Sequence, residues 1–273
     1  MSGLLGVAAA EFRIAIRNRW VTVLVVLMLL FSLVLSAAGS APSGELGADR
    51  LSVTVASLTG LAVYLIPLMA LLLSFDAIAG DRDRGTLALL LTYPLSRPGL
   101  LLGKFLAHLT VLGIALLAGY GTAAAAAFAT DGTAAAGLAP LFRLFWSSLL
   151  LGATFLGIGY SASAMAKRSG TAASMAIGIW LLLIVLFDLA LLSAVVADDG
   201  GTFTTAVFPW FLLGNPADAF RLFNLAASDA TALAAGVAGA ASAIPSLQAL
   251  ASLLLWPLLA FFLAFAAFRK VTP

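Results

Sequence analysis

Long apolar stretches alternate with short polar connectors along most of this chain. A helix of about 20 apolar residues crosses the hydrocarbon core of a bilayer, and six stretches have this length. A transmembrane barrel would alternate strictly between polar and apolar positions, which these stretches do not. The pattern predicts an all-α membrane protein with one transmembrane domain over residues 1–273, whose six helices cover 20–38, 51–75, 105–129, 144–166, 169–197 and 247–268.

The residues before the first span have a different pattern. Arg13 and Arg17 fall on one face of a helix, beside a stripe of apolar residues at helical spacing, Leu5, Ala9, Phe12 and Ile16. This arrangement predicts an amphipathic helix that lies on the membrane surface. The alternative is a simple basic anchor for the first span.

The first span also has features of a secretory signal. Small residues at 36–40 would suit cleavage, and basic residues precede the apolar stretch. The apolar core of a signal peptide has about 7–15 residues, which is shorter than 20–38. We therefore expect a retained span.

The connector at 76–104 is the most distinctive polar segment, and we predict that it is a coupling loop. Thr86 is expected to cap a short helix over 87–91, which Pro94 ends, and Pro98 is expected near the start of the next helix. Such a helix would seat in a groove of a cytosolic partner, the alternative being a solvated turn. The predicted coupling residues are Asp81, Arg82, Asp83, Arg84, Gly85, Thr86, Leu87, Leu89 and Leu90.

A second long connector covers residues 198–246. Its apolar part at 202–214 is too short to cross a bilayer and contains Pro209, so we expect a helix in the membrane interface. The Ala- and Gly-rich part at 231–243 fits either a second outer helix or a re-entrant segment.

Composition and charge set the class of protein and its direction in the membrane. Hydrophobic residues make up 63% of the chain and charged residues only 10%, against about 25% in soluble domains. Eleven of the 14 Lys and Arg residues fall at the termini or in connectors on one side of the six spans. Cytoplasmic loops carry the basic excess, so both termini and 76–104 are predicted inside. The scattered basic residues exclude a nucleic-acid-binding face.

The candidate chemistry is sparse. The chain has no Cys and one His, which leaves no set of metal ligands, and no catalytic motif is present. Residues 99–105 differ from a phosphate-binding loop in spacing and in the residue after Lys104. Asp188 is an acid inside a span, and its position near the outer boundary favours a structural carboxylate paired with Arg50, Arg143 or Arg221. His108 is expected to pack at the interface.

The 76–104 connector resembles the cytoplasmic motif of bacterial ABC-2-type permeases. The shared elements are an acidic-basic turn (Asp81-Arg82-Asp83), Gly85-Thr86-Leu87, Pro94-Leu95-Ser96-Arg97 and Leu102-Gly103-Lys104. Glu11 and the run Arg17-Asn18-Arg19-Trp20 are also similar to that family. Where many members carry Glu around the central Arg, this chain has Asp81 and Asp83.

A narrower resemblance, to permeases that serve copper-centre assembly in nitrous oxide reductase, covers nearly the whole chain. Two blocks in the outer connector carry it most specifically, Pro209-Trp210-Phe211-Leu212-Leu213 and Arg221-Leu222-Phe223-Asn224-Leu225. The resemblance implies a subunit of the bacterial inner membrane that transmits force from an ATPase or exports a sulfur or metal species. Alternatives are an ABC-2 exporter of a lipid or drug and an ion-gradient carrier.

The resemblance also implies the partners. It implies a second copy of the chain, two cytosolic ATPase subunits that bind ATP and Mg, and a periplasmic copper-handling β-helix protein. No cofactor, metal or catalytic residue is expected in this chain. The residues expected to contact the periplasmic partner are Phe208, Pro209, Trp210, Phe211, Asn215, Pro216 and Arg221.

Overall fold

The computed structural model describes residues 2–38, 50–92, 96–130, 137–225 and 246–272. Helices make up nearly all of these segments, and the described residues contain no strand. In chain order the α-helices are α1 (Ser2–Ala15), α2 (Arg19–Ala38), α3 (Arg50–Ser74), α4 (Asp76–Asp83), α5 (Thr86–Leu90), α6 (Arg97–Thr130), α7 (Leu138–Met165), α8 (Ser169–Trp180), α9 (Phe187–Asp198), α10 (Phe208–Gly214), α11 (Pro216–Leu225) and α12 (Ser246–Arg269).

Two π-helical segments interrupt this series. Leu181–Leu186 joins α8 to α9 without a break, so that Ser169–Asp198 is one continuous rod of 30 residues. Phe203–Val207 leads into α10.

Five helical stretches of the described chain are long and apolar enough to cross a membrane: Leu51–Asp83, Arg97–Ala129, Leu138–Met165, Ser169–Asp198 and Ser246–Arg269. They correspond to the second to sixth predicted spans. The first predicted span corresponds to α2, whose apolar part, Val21–Ser36, is shorter than the other five. Six crossings and the direction of the termini therefore stay predictions.

The predicted coupling loop at 76–104 is largely helical: it holds the short helix and the helix start near Pro98 that the sequence predicted, and also α4, which the sequence did not predict. α4 continues α3 through Phe75, and α6 begins at Arg97, about two turns before the predicted start of the third span. Ser96 Oγ accepts a hydrogen bond from Gly99 N–H at 3.3 Å, the usual contact of an N-cap. Tyr93 and Pro94 lie outside the described residues.

The short helix of this segment begins one residue earlier than predicted. Gly85, not Thr86, is the N-cap of α5, and its φ of 72° lies in the left-handed region that glycine adopts without strain. Thr86 is the first residue of α5, and its hydroxyl donates to the backbone oxygen of Asp81 at 3.1 Å. The turn between α4 and α5 is thus held by a glycine and a hydroxyl.

The core lies along α7. α3, α6 and α7 each bury about 61% of their most apolar window, whereas the Ser169–Asp198 rod buries 11% and α12 22%. A Cβ placed on Gly157 of α7 would lie 2.7 Å from the backbone of Ala260 in α12, so glycine permits a close approach of these helices. Arg97 joins the start of α6 to the end of α12 by donating to the backbone oxygens of Phe268, Arg269 and Val271.

α1 packs along α6, and its residues divide between the core and the exposed surface. Val7, Phe12 and Ala15 pack against the core, while Leu5 and Ile16 are exposed. Glu11 lies on the packed side and forms an ion pair with Lys104 of α6. The position of α1 on the membrane surface stays a prediction.

The described part of the outer connector, 198–225, is a run of short helices. The Phe203–Gly214 stretch is too short to cross, as predicted, and Pro209 lies in the first turn of α10, where its missing N–H is tolerated. The segment at 231–243, predicted as an outer helix or a re-entrant piece, lies outside the described residues.

Candidate functional site

Three distant segments converge on the amine of Lys104. Lys104 Nζ lies 2.7 Å from Glu11 Oε2 of α1 and 2.9 Å from Asp81 Oδ2 of α4. Lys104 itself is 5% exposed. A buried cation with two carboxylates is stable only as a unit, because each charge left alone would be desolvated without compensation. Lys104 therefore fixes α1, α4 and α6 relative to one another.

His108 and Tyr160 extend this group into the bundle. Tyr160 Oη and His108 Nδ1 are 2.7 Å apart, and His108 Nε2 is 3.6 Å from Glu11 Oε1. Both side chains are buried, so the prediction of simple interfacial packing for His108 is wrong. We call Glu11, Asp81, Lys104, His108 and Tyr160 the Lys104 cluster.

Arg84 covers the exposed side of the Lys104 cluster. Its two terminal nitrogens lie 3.0 Å from Asp76 Oδ2 and 3.3 Å from Asp81 Oδ1. Burial lowers the pKa of Arg84, but the hydrogen bonds and charges of these two carboxylates outweigh it and raise the pKa above its ordinary value. Asp81 thus forms ion pairs with Arg84 and Lys104 and accepts a hydrogen bond from the Thr86 hydroxyl at 3.1 Å.

α4 is also fastened to the helices behind it. Ser163 Oγ of α7 accepts hydrogen bonds from the N–H groups of Ile78 and Ala79 at 3.0 and 2.9 Å. At the start of α8, the Ser169 hydroxyl donates to Asp76 Oδ1, and Ser169 N–H lies 3.4 Å from Asp83 Oδ2. Any displacement of α4 would therefore act directly on α7 and α8 through these hydrogen bonds.

The nine predicted coupling residues do not share one surface. Asp81 faces the Lys104 cluster, Asp83 faces Ser169, and Arg82 lines a groove beside α7 and α12. Leu87 is 2% exposed, whereas Leu89 is 63% exposed. Leu90 is partly buried against the core. Of the three predicted leucines, Leu89 is therefore the one available to another protein.

The second polar group lies toward the other end of the Ser169–Asp198 rod. The two terminal nitrogens of Arg221 in α11 lie 3.0 Å from Asp188 Oδ2 of α9 and 3.0 Å from Asp218 Oδ1. Asp188 thus pairs with one of the three arginines that the sequence offered. We call Asp188, Asp218 and Arg221 the Arg221 cluster.

The charges of the Arg221 cluster are unevenly balanced. Burial raises the pKa of Asp218 to about 7, and the neighbouring Asp188 carboxylate adds to this rise against the opposing effect of Arg221. Burial lowers the pKa of Arg221, but Asp218 and Asp188 together raise it above its ordinary value. Two acids share one cation here, so the cluster changes its charge near neutral pH.

Asn215 ties the outer helices to the π-helical segment. Its amide nitrogen donates to the Leu183 backbone oxygen at 2.8 Å, and its Oδ1 accepts from Ala217 N–H at 2.8 Å. One side chain therefore caps α11 and satisfies a carbonyl of the rod. Farther along α11, Asn224 pairs with Ser147 of α7 at about 3 Å, and Arg143 donates to the Phe223 backbone oxygen.

The predicted partner-binding residues, like the predicted coupling residues, do not share one surface. Trp210 is 67% exposed and Phe211 is also exposed, whereas Phe208 and Pro209 are intermediate. Asn215 and Pro216 are buried, and Arg221 is engaged in its cluster. Only the α10 aromatics are free to form a contact surface.

Sequence reasoning missed Asp76, Lys104, Ser163 and Tyr160 as members of a site. Lys104 was counted as one basic residue of the inner side, and the single acid of α1 went without a role. No local signal marks them, because a single acid on a predicted surface helix is satisfied by water, and Glu11 meets Lys104 only through the fold. As for metal ligands, the described part of the chain holds no group of three or more His, Cys, Asp or Glu able to bind an ion.

These features define a helical membrane protein with a polar site toward each end of one long rod. Residues 5–271 match the ABC-2 family transporter proteins, and the chain belongs to that family. It is therefore a permease subunit of an ABC transporter and a multi-pass membrane protein. ABC transporters are driven by ATP, so membership of the family implies an ATPase partner. It rules out the alternative of an ion-gradient carrier.

Two relatives carry the comparison further. The chain is 45% identical over 268 residues to the probable ABC transporter permease protein NosY of Pseudomonas aeruginosa, with 97% of each chain covered. It is 40% identical over 280 residues to the probable ABC transporter permease protein NosY of Stutzerimonas stutzeri, with 99% of each chain covered. The narrower resemblance drawn from the sequence is thereby confirmed as a similarity to NosY permeases.

Proposed function

We propose that this chain couples ATP hydrolysis in the cytosol to maturation of the copper site of nitrous oxide reductase in the periplasm. The similarity to NosY permeases along nearly the whole chain carries this proposal. In it, the chain forms a homodimer in the bacterial inner membrane. Two ATPase subunits act on one face, and a copper-handling β-helix protein acts on the other.

The cytosolic face of the proposal is the side of α4, α5 and both termini. The distribution of Lys and Arg supports this direction. α5 exposes Leu89, and an exposed apolar anchor on a short helix suits a groove in a partner protein. The ATPase is proposed to push on α5 and, through Arg84 and Asp81, on the Lys104 cluster.

The Ser169–Asp198 rod supports transmission across the membrane. Ser169 contacts Asp76 and Asp83 of α4, and Asp188 contacts Arg221 of α11. The 19 residues between Ser169 and Asp188 correspond to roughly 29 Å of helix at 1.5 Å per residue. A displacement at α4 would therefore reach the outer helices through one continuous element.

The periplasmic partner is proposed to bind at α10. Trp210 and Phe211 are exposed aromatic side chains on a short helix that follows the rod. Aromatic residues of this kind supply the cores of protein interfaces. Because Asn215 fixes the end of this helix to the rod, movement of the rod would change the orientation of the surface.

Mechanical transmission accounts for this arrangement better than passage of copper through the helices. Monovalent copper prefers thiolate and thioether ligands, and the chain has no Cys and five Met. Export of a sulfur species is the other route that the proposal allows.

The decisive test uses Leu89→Lys in a strain that makes nitrous oxide reductase and lacks the native permease. A buried charge at an interface anchor should weaken ATPase co-purification about 30-fold or more, since hot-spot losses exceed about 2 kcal/mol. The exported reductase should then lack its copper absorption. Leu138→Lys is the matched control, because it makes the same change at an exposed leucine at the start of α7.

Two results would contradict the proposal separately. Normal ATPase co-purification with Leu89→Lys would remove α5 as the coupling surface. A fully copper-loaded reductase in cells without this chain would remove the reductase from the function while leaving the permease assignment intact.

A further inference from the structure

An open groove lies beside α4, where α7 and α12 end. Its volume is about 630 Å3, and it is separate from both polar clusters. The described side chains that line it are Arg82, Ser161, Ala164, Met165, Leu263, Ala266, Ala267, Lys270 and Val271. Three segments distant in sequence thus contribute to one surface.

Two cations and no acid line this groove. Arg82 and Lys270 form no ion pair with any described residue, in contrast to Arg84, which is held by two carboxylates. The acid next to Arg82, Asp83, faces Ser169 instead. Arg97 nearby is engaged by three carbonyl oxygens of the α12 end. The groove therefore carries uncompensated positive charge.

The remaining walls are apolar and open. Met165 is 69% exposed and Leu263 is 56% exposed, although both are large apolar side chains. Leu263 and Lys270 are seven residues apart on and just after α12, or roughly 10 Å at 1.5 Å per residue. Charge at one end and apolar surface along the remainder match a molecule with an anionic head and a hydrocarbon tail.

We propose that this groove binds an anionic phospholipid of the leaflet that surrounds α4. The phosphate lies between Arg82 and Lys270, and an acyl chain follows Met165 and Leu263. Basic pockets between helix ends at a membrane surface are suited to such headgroups. Because Arg82 belongs to α4, the bound lipid fastens the segment that carries the Lys104 cluster to the end of α12.

The proposal does not depend on the cargo or the reductase. It concerns only the residues of this groove and the composition of the membrane. Its failure would leave the coupling role of α5 untouched, and loss of ATPase binding in the Leu89→Lys variant would leave the lipid site untouched.

The test measures thermal stabilisation and lipid retention of the full chain purified in a non-ionic detergent. Phosphatidylglycerol is titrated against phosphatidylcholine and against inorganic phosphate, and native mass spectrometry counts retained lipids. The Arg82→Gln/Lys270→Gln variant should bind phosphatidylglycerol about 30-fold more weakly, since each cation near an anionic surface contributes about fivefold. Arg13→Gln/Arg17→Gln removes the same charge from exposed positions on α1 and in the turn after it, and should bind normally.

Four outcomes would overturn the inference. These are equal stabilisation by phosphatidylcholine, full replacement of the lipid effect by inorganic phosphate, and equal loss in the α1 control variant. The fourth is a fall in molecular mass from dimer to monomer in the Arg82→Gln/Lys270→Gln variant, which would assign the groove to a second copy of the chain.

Discussion

The Lys104 cluster and the Arg221 cluster each place one cation between two carboxylates, but in different surroundings. The Lys104 side chain is 6% exposed, whereas the side chains of Arg221 and Asp188 are each 29% exposed and that of Asp218 is 2% exposed. The first joins α1, α4 and α6, and the second joins α9 to α11. An enclosed charge group is costly to break, whereas a partly exposed pair such as Arg221–Asp188 exchanges with water at lower cost. The comparison indicates a fixed joint beside α4 and, at the Arg221–Asp188 pair, a releasable one beside α11.

Removing the cation of the fixed joint should have the largest effect. Lys104→Met leaves Glu11 and Asp81 buried without a counter-charge and should lower the free energy of unfolding by about 3–5 kcal/mol. Thermal unfolding of the purified protein in detergent measures this loss. Lys167→Met makes the same change at an exposed lysine and should stay within about 0.5 kcal/mol. Equal effects of the two changes would show that the Lys104 cluster is not a joint.

The releasable joint should respond to pH through Asp218. Its pKa is raised from 3.8 to about 7, so the folded state holds this proton more tightly than the unfolded state does. Its contribution is complete below about pH 4 and is lost as the pH rises through 7, by about 2–4 kcal/mol. Unfolding measured from pH 4.5 to 8 should show this loss, and Asp218→Asn should remove it.

The partners that face Asp218 are Asp188 of α9 and Arg221 of α11. The exposed residue Asp199 provides the control, because Asp199→Asn should leave the pH dependence as it is. A flat pH profile in the unaltered chain would refute the releasable joint.

The smallest expected effect separates capping from tethering at Asn215. Asn215→Ala removes both the α11 cap and the bond to Leu183 and should cost about 1–2 kcal/mol. Asn215→Asp keeps an acceptor for Ala217 N–H but loses the donor to Leu183. Hydrogen exchange of residues 216–225 should rise in both variants, and more in the alanine variant. Equal exchange in all three proteins would show that Asn215 does not hold α11.

The sequence predicted the helices and the pairing of Asp188 with an arginine. Five spans follow from apolar length alone, because local composition is enough to identify a membrane helix. Asp188 was correctly matched to a set of three arginines, since an acid in a span needs a cation. Which arginine it meets depends on the fold of α11 against α9, and that packing is not encoded in the spacing along the chain.

The Lys104 cluster was beyond sequence reasoning for a related physical reason. Glu11, Asp81 and Lys104 lie on three different helices and look like ordinary surface charges when each helix is considered alone. The same limit applies to α1, where the fold decides that Val7 and Ala15 pack against the core while Leu5 and Ile16 are exposed. It also explains why Leu87 and Leu89, two residues apart, have opposite surroundings.

The π-helical turn at Leu181–Leu186 has a geometrical consequence for the link between the two ends of the molecule. A π turn holds one residue more than an α turn, and one residue corresponds to about 100° of rotation around a helix axis. Conversion of this single turn to α geometry would swing Asp188 away from Arg221 while Ser169 kept its place. In the proposed transmission, one wound or unwound residue would thus turn a push at Ser169 into a rotation at Asp188.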